Sequence, residues 1–508
     1  MLINIPNSLI ILLTVLFAAL TLMLLAPTKH YTKNRGFIIS FAALSFALLF
    51  GIREPTHSFA EYLYGDIFSN MLIDDTFSRL FIQLFLVGTI LTLLVGRSYI
   101  QRANFFQAES FSLIFFTLFG MILMSMANEF LTAFIALEIS SLSIYILIGI
   151  HRSDIKASEA FFKYLILGSF VGAFYLLGMM LIYAQAHTTN FIELSRYILA
   201  SDFQDQYLII AGGLLLMITI MFKIAALPFG VWSLDVYDGA PLPITSFMAG
   251  TFKIAIFALT LRIFLVDYSF LVNIYDPLLV GAAVITMVGG SFLTITQSSI
   301  KRMLAGSSIV HSGYILIGLA SMGILGSTAA PSVLFYLIAY FVSAIGAFGV
   351  LSYLSLGEEK NITYDSLKGL SKQHPVLALT LSIFMLSLAG FPSTIGFLGK
   401  FYVFNSAIEA NYTWLALLGA LSAFISIYYY FKVISMIYFY DEPKEETARF
   451  NIVNYKTLSD KITLISIVLA SMGVIWGGIG SSLLSFLPGP DAITLATEHA
   501  IRSLSLLL

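Results

Sequence analysis

The sequence predicts an all-α integral membrane protein of about fourteen transmembrane helices, and three observations carry that prediction. Hydrophobic residues fill 59% of 508 positions, charged residues only 11%, and mean hydropathy is +0.92. A chain of this length in water needs more charge to cover its surface. The apolar residues come in continuous runs of about 18 to 25, each long enough to cross a ~30 Å hydrocarbon layer as a helix. They do not alternate with polar residues, as the strands of a membrane barrel would.

The runs place spans at 8–26, 37–52, 77–99, 109–127, 129–150, 160–184, 207–228, 240–265, 276–297, 303–323, 331–355, 375–408, 414–440 and 462–486. The first lacks a basic leader and a small-residue cleavage site, so it is expected to be a retained helix. The longest connections are Arg53–Thr76 and Asp441–Asp460, and no soluble domain interrupts the series. The whole of 1–508 therefore reads as one membrane domain. Peripheral helices one to three occupy 1–108, a first repeat 109–265, a second repeat 276–440, and a loop with the last helix 441–508.

Basic residues accumulate in cytoplasmic loops. One set of alternate loops holds sixteen of them: Lys29, Lys33, Arg35, Arg97, Arg102, Arg152, Lys156, Lys301, Arg302, Lys360, Lys368, Lys372, Lys444, Arg449, Lys456 and Lys461. The opposite set holds five: Arg53, Arg79, Arg196, Arg262 and Arg502. Both termini are expected to face outward. Cysteine is absent, which excludes disulfides, thiolate-held iron–sulfur clusters and a cysteine nucleophile in this chain. A net charge of −2 indicates no nucleic-acid partner.

Removing those twenty-one residues from the 26 Lys plus Arg leaves Lys163, Lys223, Lys253, Lys400 and Lys432 inside apolar segments, where Glu138 and His311 join them. A charge near a helix centre costs about 2.5–3.5 kcal/mol on insertion scales, so the row represents on the order of 10 kcal/mol or more. Such residues mark proton or ion pathways by default.

Two of the spans are interrupted. Lys223 precedes Pro228 by five residues, and Gly390 and Pro392 precede Lys400 in a run of about 33 residues, too long for one straight crossing. These are helices seven and twelve, five apart, and an odd offset reverses membrane orientation. The pattern predicts two inverted five-helix repeats, helices 4–8 and 9–13, with broken helices 7 and 12. Burial lowers a lysine's proton affinity and a nearby carboxylate raises it, so a lysine whose glutamate partner approaches and retreats can bind and release a proton. Histidine titrates near neutrality. The plainer readings are a static Glu138–Lys223 salt bridge, a packing role for His311, and snorkelling for Lys163 and for Lys432, eight residues from its helix end.

At these residues the chain resembles the subunit N family of bacterial NADH-quinone oxidoreductase (respiratory complex I), an antiporter-like family. The likeness is carried by ALEISSLSIYIL around Glu138, SEAFFKYLILGSF around Lys163, FKIAALPFGVWSLDVYDGAPLPITSF after Lys223, KRMLAGSSIVHSGYILIGL around His311 and LAGFPSTIGFLGKFYVF around Lys400. It covers most of 110–440, and the DVYDGAP stretch is its most specific part. The resemblance implies fourteen helices in two inverted repeats, a coupled Glu138–Lys223 pair, and proton-transfer roles for Lys163, Lys253 and Lys400, whereas His311 joins the row on its titration range. Relatives often place His where this chain has Gly230, so a polar relay does not carry over to that point. With about 22 residues after its last predicted span, the chain is expected to lack the long lateral helix that a subunit L would have.

The resemblance further implies a proton-translocating membrane-arm subunit in the bacterial inner membrane, coupled conformationally to electron transfer from a donor to quinone in other subunits. Its expected partners are the antiporter-like subunit M, the small membrane subunits, the lipid bilayer and, indirectly, the peripheral redox arm. FMN, iron–sulfur clusters, quinone and NAD chemistry are expected in those partners. No nucleotide or metal motif occurs in this chain, so none of these cofactors and no metal is expected here. Competing readings are a subunit of a Mrp-type sodium/proton antiporter, a membrane-arm subunit of a hydrogenase-linked relative, and a scaffold that moves no protons.

Overall fold

In the computed structural model the described residues are 6–28, 31–52, 70–200, 206–264, 269–355, 357, 362–441, 457–483 and 489–505, and they are overwhelmingly helical. The cations Lys29, Arg53, Lys360, Lys444, Arg449 and Lys456, and most of the two longest connections, lie outside them.

The helices run as follows: α1 (Asn7–Leu25), α2 (Lys33–Ile52), α3 (Thr76–Val95), α4 (Arg97–Arg102), α5 (Ala108–Met126), α6 (Phe130–Ile148), α7 (Ile155–Ala186), α8 (Phe191–Ala200) and α9 (Tyr207–Lys223). Then come α10 (Trp232–Gly239), α11 (Leu242–Phe247), α12 (Lys253–Ile263), α13 (Ser269–Ile295), α14 (Ile300–Leu325) and α15 (Ala330–Ser355). The chain continues through α16 (Leu370–Gln373), α17 (Pro375–Ala389), α18 (Ile395–Glu409), α19 (Thr413–Phe439), α20 (Leu458–Leu483) and α21 (Pro490–Ser505).

Eleven helical stretches among the described residues are long and apolar enough to cross a membrane. The stretch Ile300–Ser355 contains both α14 and α15, and the shorter apolar helices α9 and α17 belong to the interrupted spans. Each of the fourteen predicted spans thus has its helix. A single π-turn, Met248–Phe252, joins α11 to α12 into one continuous crossing that is buried throughout.

The tail after the last span forms the amphipathic α21. It packs on α3 and α15, and the Phe77 amide donates to Ser503 Oγ (3.2 Å). Its polar face breaks the apolar run. Beside it, Arg262 is 1% exposed and donates to both carboxylate oxygens of Asp75 (3.0 and 2.9 Å) and to the Ser125 carbonyl, tying α12 to the start of α3 and the end of α5. A buried guanidinium is tolerated only when its fork is filled in this way.

Candidate functional site

The two interruptions set the site. A continuous helix would pair the Ile224 carbonyl with the amide of residue 228, but Pro228 has no N–H to give. The helix stops at Lys223, five residues before the proline, and Ala225 takes a left-handed φ of 58°. Ser312 Oγ on α14 donates to the Ile224 carbonyl instead (2.6 Å), and Trp232 Nε1 donates to the Phe222 carbonyl (3.2 Å).

The second interruption repeats this chemistry. Pro392 leaves the Leu388 carbonyl without its donor. Gly390 ends α17 at φ 83°, a conformation glycine adopts at no steric cost. Here Lys400 Nζ itself donates to the Leu388 and Ala389 carbonyls (2.9 and 2.8 Å) and lies over the Tyr314 ring.

Lys223, at 4% exposure, meets the face of α6 that carries Glu138, Ser141 and Tyr145 at i, i+3 and i+7. Its amine donates to Ser141 Oγ (2.8 Å) and Tyr145 OH (3.2 Å) and lies over the Tyr145 and Tyr164 rings. No ion pair joins Glu138 and Lys223 among the described residues, so the direct salt bridge weighed from the sequence is not formed. The Glu138 carboxylate rests against the α7 backbone, where a Cβ at Gly172 would come within 3.2 Å of Oε1.

Lys253 (4% exposed) follows the π-turn and donates to the Ser308 carbonyl (2.6 Å) and to Ser308 Oγ (2.8 Å). His311 (3% exposed) is held from both sides, Nδ1 by Tyr336 OH (2.5 Å) and Nε2 by Tyr430 OH (3.0 Å). Lys400 is 5% exposed. A cavity between His311 and Lys400, walled also by Tyr340, Ser343 and Ser387, leaves about 10 Å³, close to the room one water needs. One helix, α14, therefore presents Ser308 to Lys253, His311 to the tyrosines and Ser312 to the break beside Lys223.

Lys163 departs from its expected place. Its side chain is 40% exposed and pairs with Glu159 (2.6 Å) and Asp235 (2.8 Å), in a cluster that includes Asp238, Lys156 and Arg302. It sits two turns from the start of α7, at the same end of the bundle as Lys156 and Arg302, and not in the buried row. Lys301, counted among loop cations, is buried and donates to the Asp238 and Ala240 carbonyls at the end of α10. Lys432 places its amine 4.1 Å from the Tyr364 ring centroid.

Sequence reasoning missed Tyr145, Tyr336 and Tyr430, which read as ordinary aromatic packing, and Ser308 and Ser312. The signal that could have found the serines is their one-turn spacing around His311. The departure at Gly230 has a steric cause. A Cβ there would collide with the Ala225 backbone, so the loop after the break closes on glycine.

The model of the family described as "NADH:quinone oxidoreductase/Mrp antiporter, TM" matches residues 127–426. NADH-quinone oxidoreductase subunit N of Trichlorobacter lovleyi is 39% identical over 82% of this chain and 84% of that protein. Among solved structures, a chain of respiratory complex I from Thermus thermophilus with bound aureothin superposes with a TM-score of 0.75 at 26% identity, covering 93% of this chain and 98% of that one. A chain of the Mrp complex from Dietzia sp. has a TM-score of 0.79 at 18% identity over 98% and 99%, a likeness of fold.

Proposed function

The chain belongs to the NADH:quinone oxidoreductase/Mrp antiporter transmembrane family, and from that premise we propose that it is the proton-translocating membrane-arm subunit N of an NADH-quinone oxidoreductase. Protons pass along Glu138, Lys223, Lys253, His311 and Lys400, driven by electron transfer in partner subunits that hold the FMN, iron–sulfur clusters and quinone. The observation that carries this reading is the placement of three lysines and a histidine, each at most 5% exposed, on hydroxyl or carbonyl partners: Ser141 and Tyr145 for Lys223, Ser308 for Lys253, Tyr336 and Tyr430 for His311, and Leu388 and Ala389 for Lys400. Buried charge of this kind is costly and is kept where it has a task.

The groups divide the work by their chemistry. The Lys223 amine donates to two hydroxyls, and a hydroxyl can turn its own O–H back toward a neutral amine, so this site suits both protonation states. His311 joins Tyr336 and Tyr430 through separate ring nitrogens, the arrangement a histidine needs to take a proton on one side and pass one on at the other. Glu138 supplies the charge whose approach or withdrawal alters proton affinity at Lys223. The two inverted repeats occupy 109–265 and 276–440, both termini face the outer side of a bacterial inner membrane, and subunit M and the small membrane subunits are the neighbours. Lys163 belongs to the mouth of the pathway.

The test is Lys223→Ala in the assembled complex in closed vesicles. Donor-driven proton translocation is expected to fall by about a hundredfold or more with assembly intact, the scale of losing a positioned proton-transfer group. Unchanged translocation would leave a scaffold. Sodium-dependent proton movement without any electron donor would instead identify a Mrp-type antiporter subunit, the reading that the shared fold favours second.

A further inference from the structure

The cluster around Asp235 lies outside the buried row, at the mouth to which Lys163 belongs, and proton transfer along the row does not account for its ion pairs. Asp235 Oδ2 accepts from Lys163 on α7 (2.8 Å) and Oδ1 from Arg302 on α14 (2.9 Å). Asp238, one turn on, faces Arg302 (3.8 Å) and Lys156 (3.5 Å). The short helix α10 is thus gripped by its two neighbours at the end away from the break.

Its other end meets Phe222, the residue before Lys223. Trp232, three residues before Asp235 and therefore on the same face, stacks on Tyr164 (centroids 4.4 Å apart, planes at 16°) and donates to the Phe222 carbonyl, the residue before Lys223. Tyr164 is the residue next to Lys163, and the Lys223 amine lies 5.9 Å from its ring centroid. One carboxylate therefore sets the register of α7 against α10, and that register seats the Trp232–Tyr164 pair as the wall between Lys223 and the mouth of the bundle.

We propose that Asp235 is a positioning residue that holds this wall shut beside Lys223, acting through Trp232 and Tyr164. Its consequence for proton flow rests on the reading of Lys223 given above, whereas the closure itself does not. Lys163 is the strut of this latch on the α7 side, which explains a lysine in an apolar helix that stands apart from the row.

The test uses the absence of cysteine from this chain. Ser141→Cys places a lone thiol beside the Lys223 amine, and its reaction with N-ethylmaleimide in sealed vesicles of the whole complex is read as a mass shift of this chain alone. Asp235→Asn should raise the labelling rate several-fold, and Asp235→Glu, which keeps the charge, should restore it to near the parent value. Without the thiol, Asp235→Asn should lower donor-driven translocation, by up to about a hundredfold, the scale of a 1 Å misplacement, and Asp235→Glu should recover most of it. Labelling that is the same in all three chains overturns the latch, whatever translocation does. Labelling that rises while Lys223→Ala leaves translocation intact supports the latch and removes the pump reading instead. Should Asp235→Asn reduce the amount of chain in the membrane, Arg302→Gln removes the α14 strut and is judged by the same two outcomes.

Discussion

The breaks at Pro228 and Pro392 create the same vacancy, a carbonyl four residues earlier with no amide to meet it, and the two halves of the molecule fill it differently. At the first break a serine on α14 takes the Ile224 carbonyl, and Lys223 is left to bond with Ser141 and Tyr145. In the second half the lysine fills the vacancy itself, and Lys400 is bound to Leu388 and Ala389. A carbonyl only accepts, so Lys400 is held as a donor, whereas the hydroxyls around Lys223 work in both directions. The two lysines are thereby held unlike, Lys400 as the cap of a broken helix and Lys223 not; under the proposed function the first is cap and carrier together and the second carrier alone.

Substitutions at three positions would sharpen or break this contrast, and one at a fourth marks its lower bound. The largest effect is expected from Lys400→Leu, which strips two buried carbonyls of their donor and should cost about 2–4 kcal/mol of stability, read as thermal denaturation of the purified complex. If it destabilises no more than Lys223→Leu, the distinction between cap and carrier fails. Ser312→Ala comes next, at about 1–2 kcal/mol for one orphaned carbonyl, and Ser312→Thr should recover part of it. Lys223→Leu leaves only hydroxyls that can turn elsewhere, so its stability should stay within about 1 kcal/mol of the parent while translocation is lost.

The smallest effect belongs to the exposed pair Lys372–Asp441 (2.8 Å) beyond the end of α19. The hydrogen bond and charge of Lys372 hold the Asp441 carboxyl below its usual range. Any stability it lends is present at neutral pH and is lost as pH falls through the carboxylate range. Solvent screens so open a pair, so Lys372→Met should leave the denaturation midpoint unmoved.

All fourteen spans could be read from apolar length, and both interruptions from Pro228 and the Gly390–Pro392 pair, because a membrane makes backbone satisfaction a local matter. The burial of Lys223, Lys253, His311 and Lys400 was legible for the same reason. What stayed hidden was pairing at a distance. Asp235 meets Lys163 across 72 positions and Tyr430 meets His311 across 119, and nothing in a single sequence links them. Lys163 was misplaced because α7 is longer than one crossing needs, so a residue two turns from its start lies at the mouth. The short helices α8 and α10 and the amphipathic α21 fell below any threshold set by hydropathy.

The π-turn at Met248–Phe252 bears on Lys253 in a way its neighbours do not show. Successive residues of an α-helix are ~100° apart around the axis, and a π-turn accommodates one residue more than an α-turn does. That surplus residue swings everything after it, so the azimuth that aims Lys253 at Ser308 is set by a count of residues and not by the identity of any one. Shortening the segment by a single position would close the bulge and rotate the amine toward another side of the barrel of helices, which makes an in-frame deletion there more damaging to aim than most replacements.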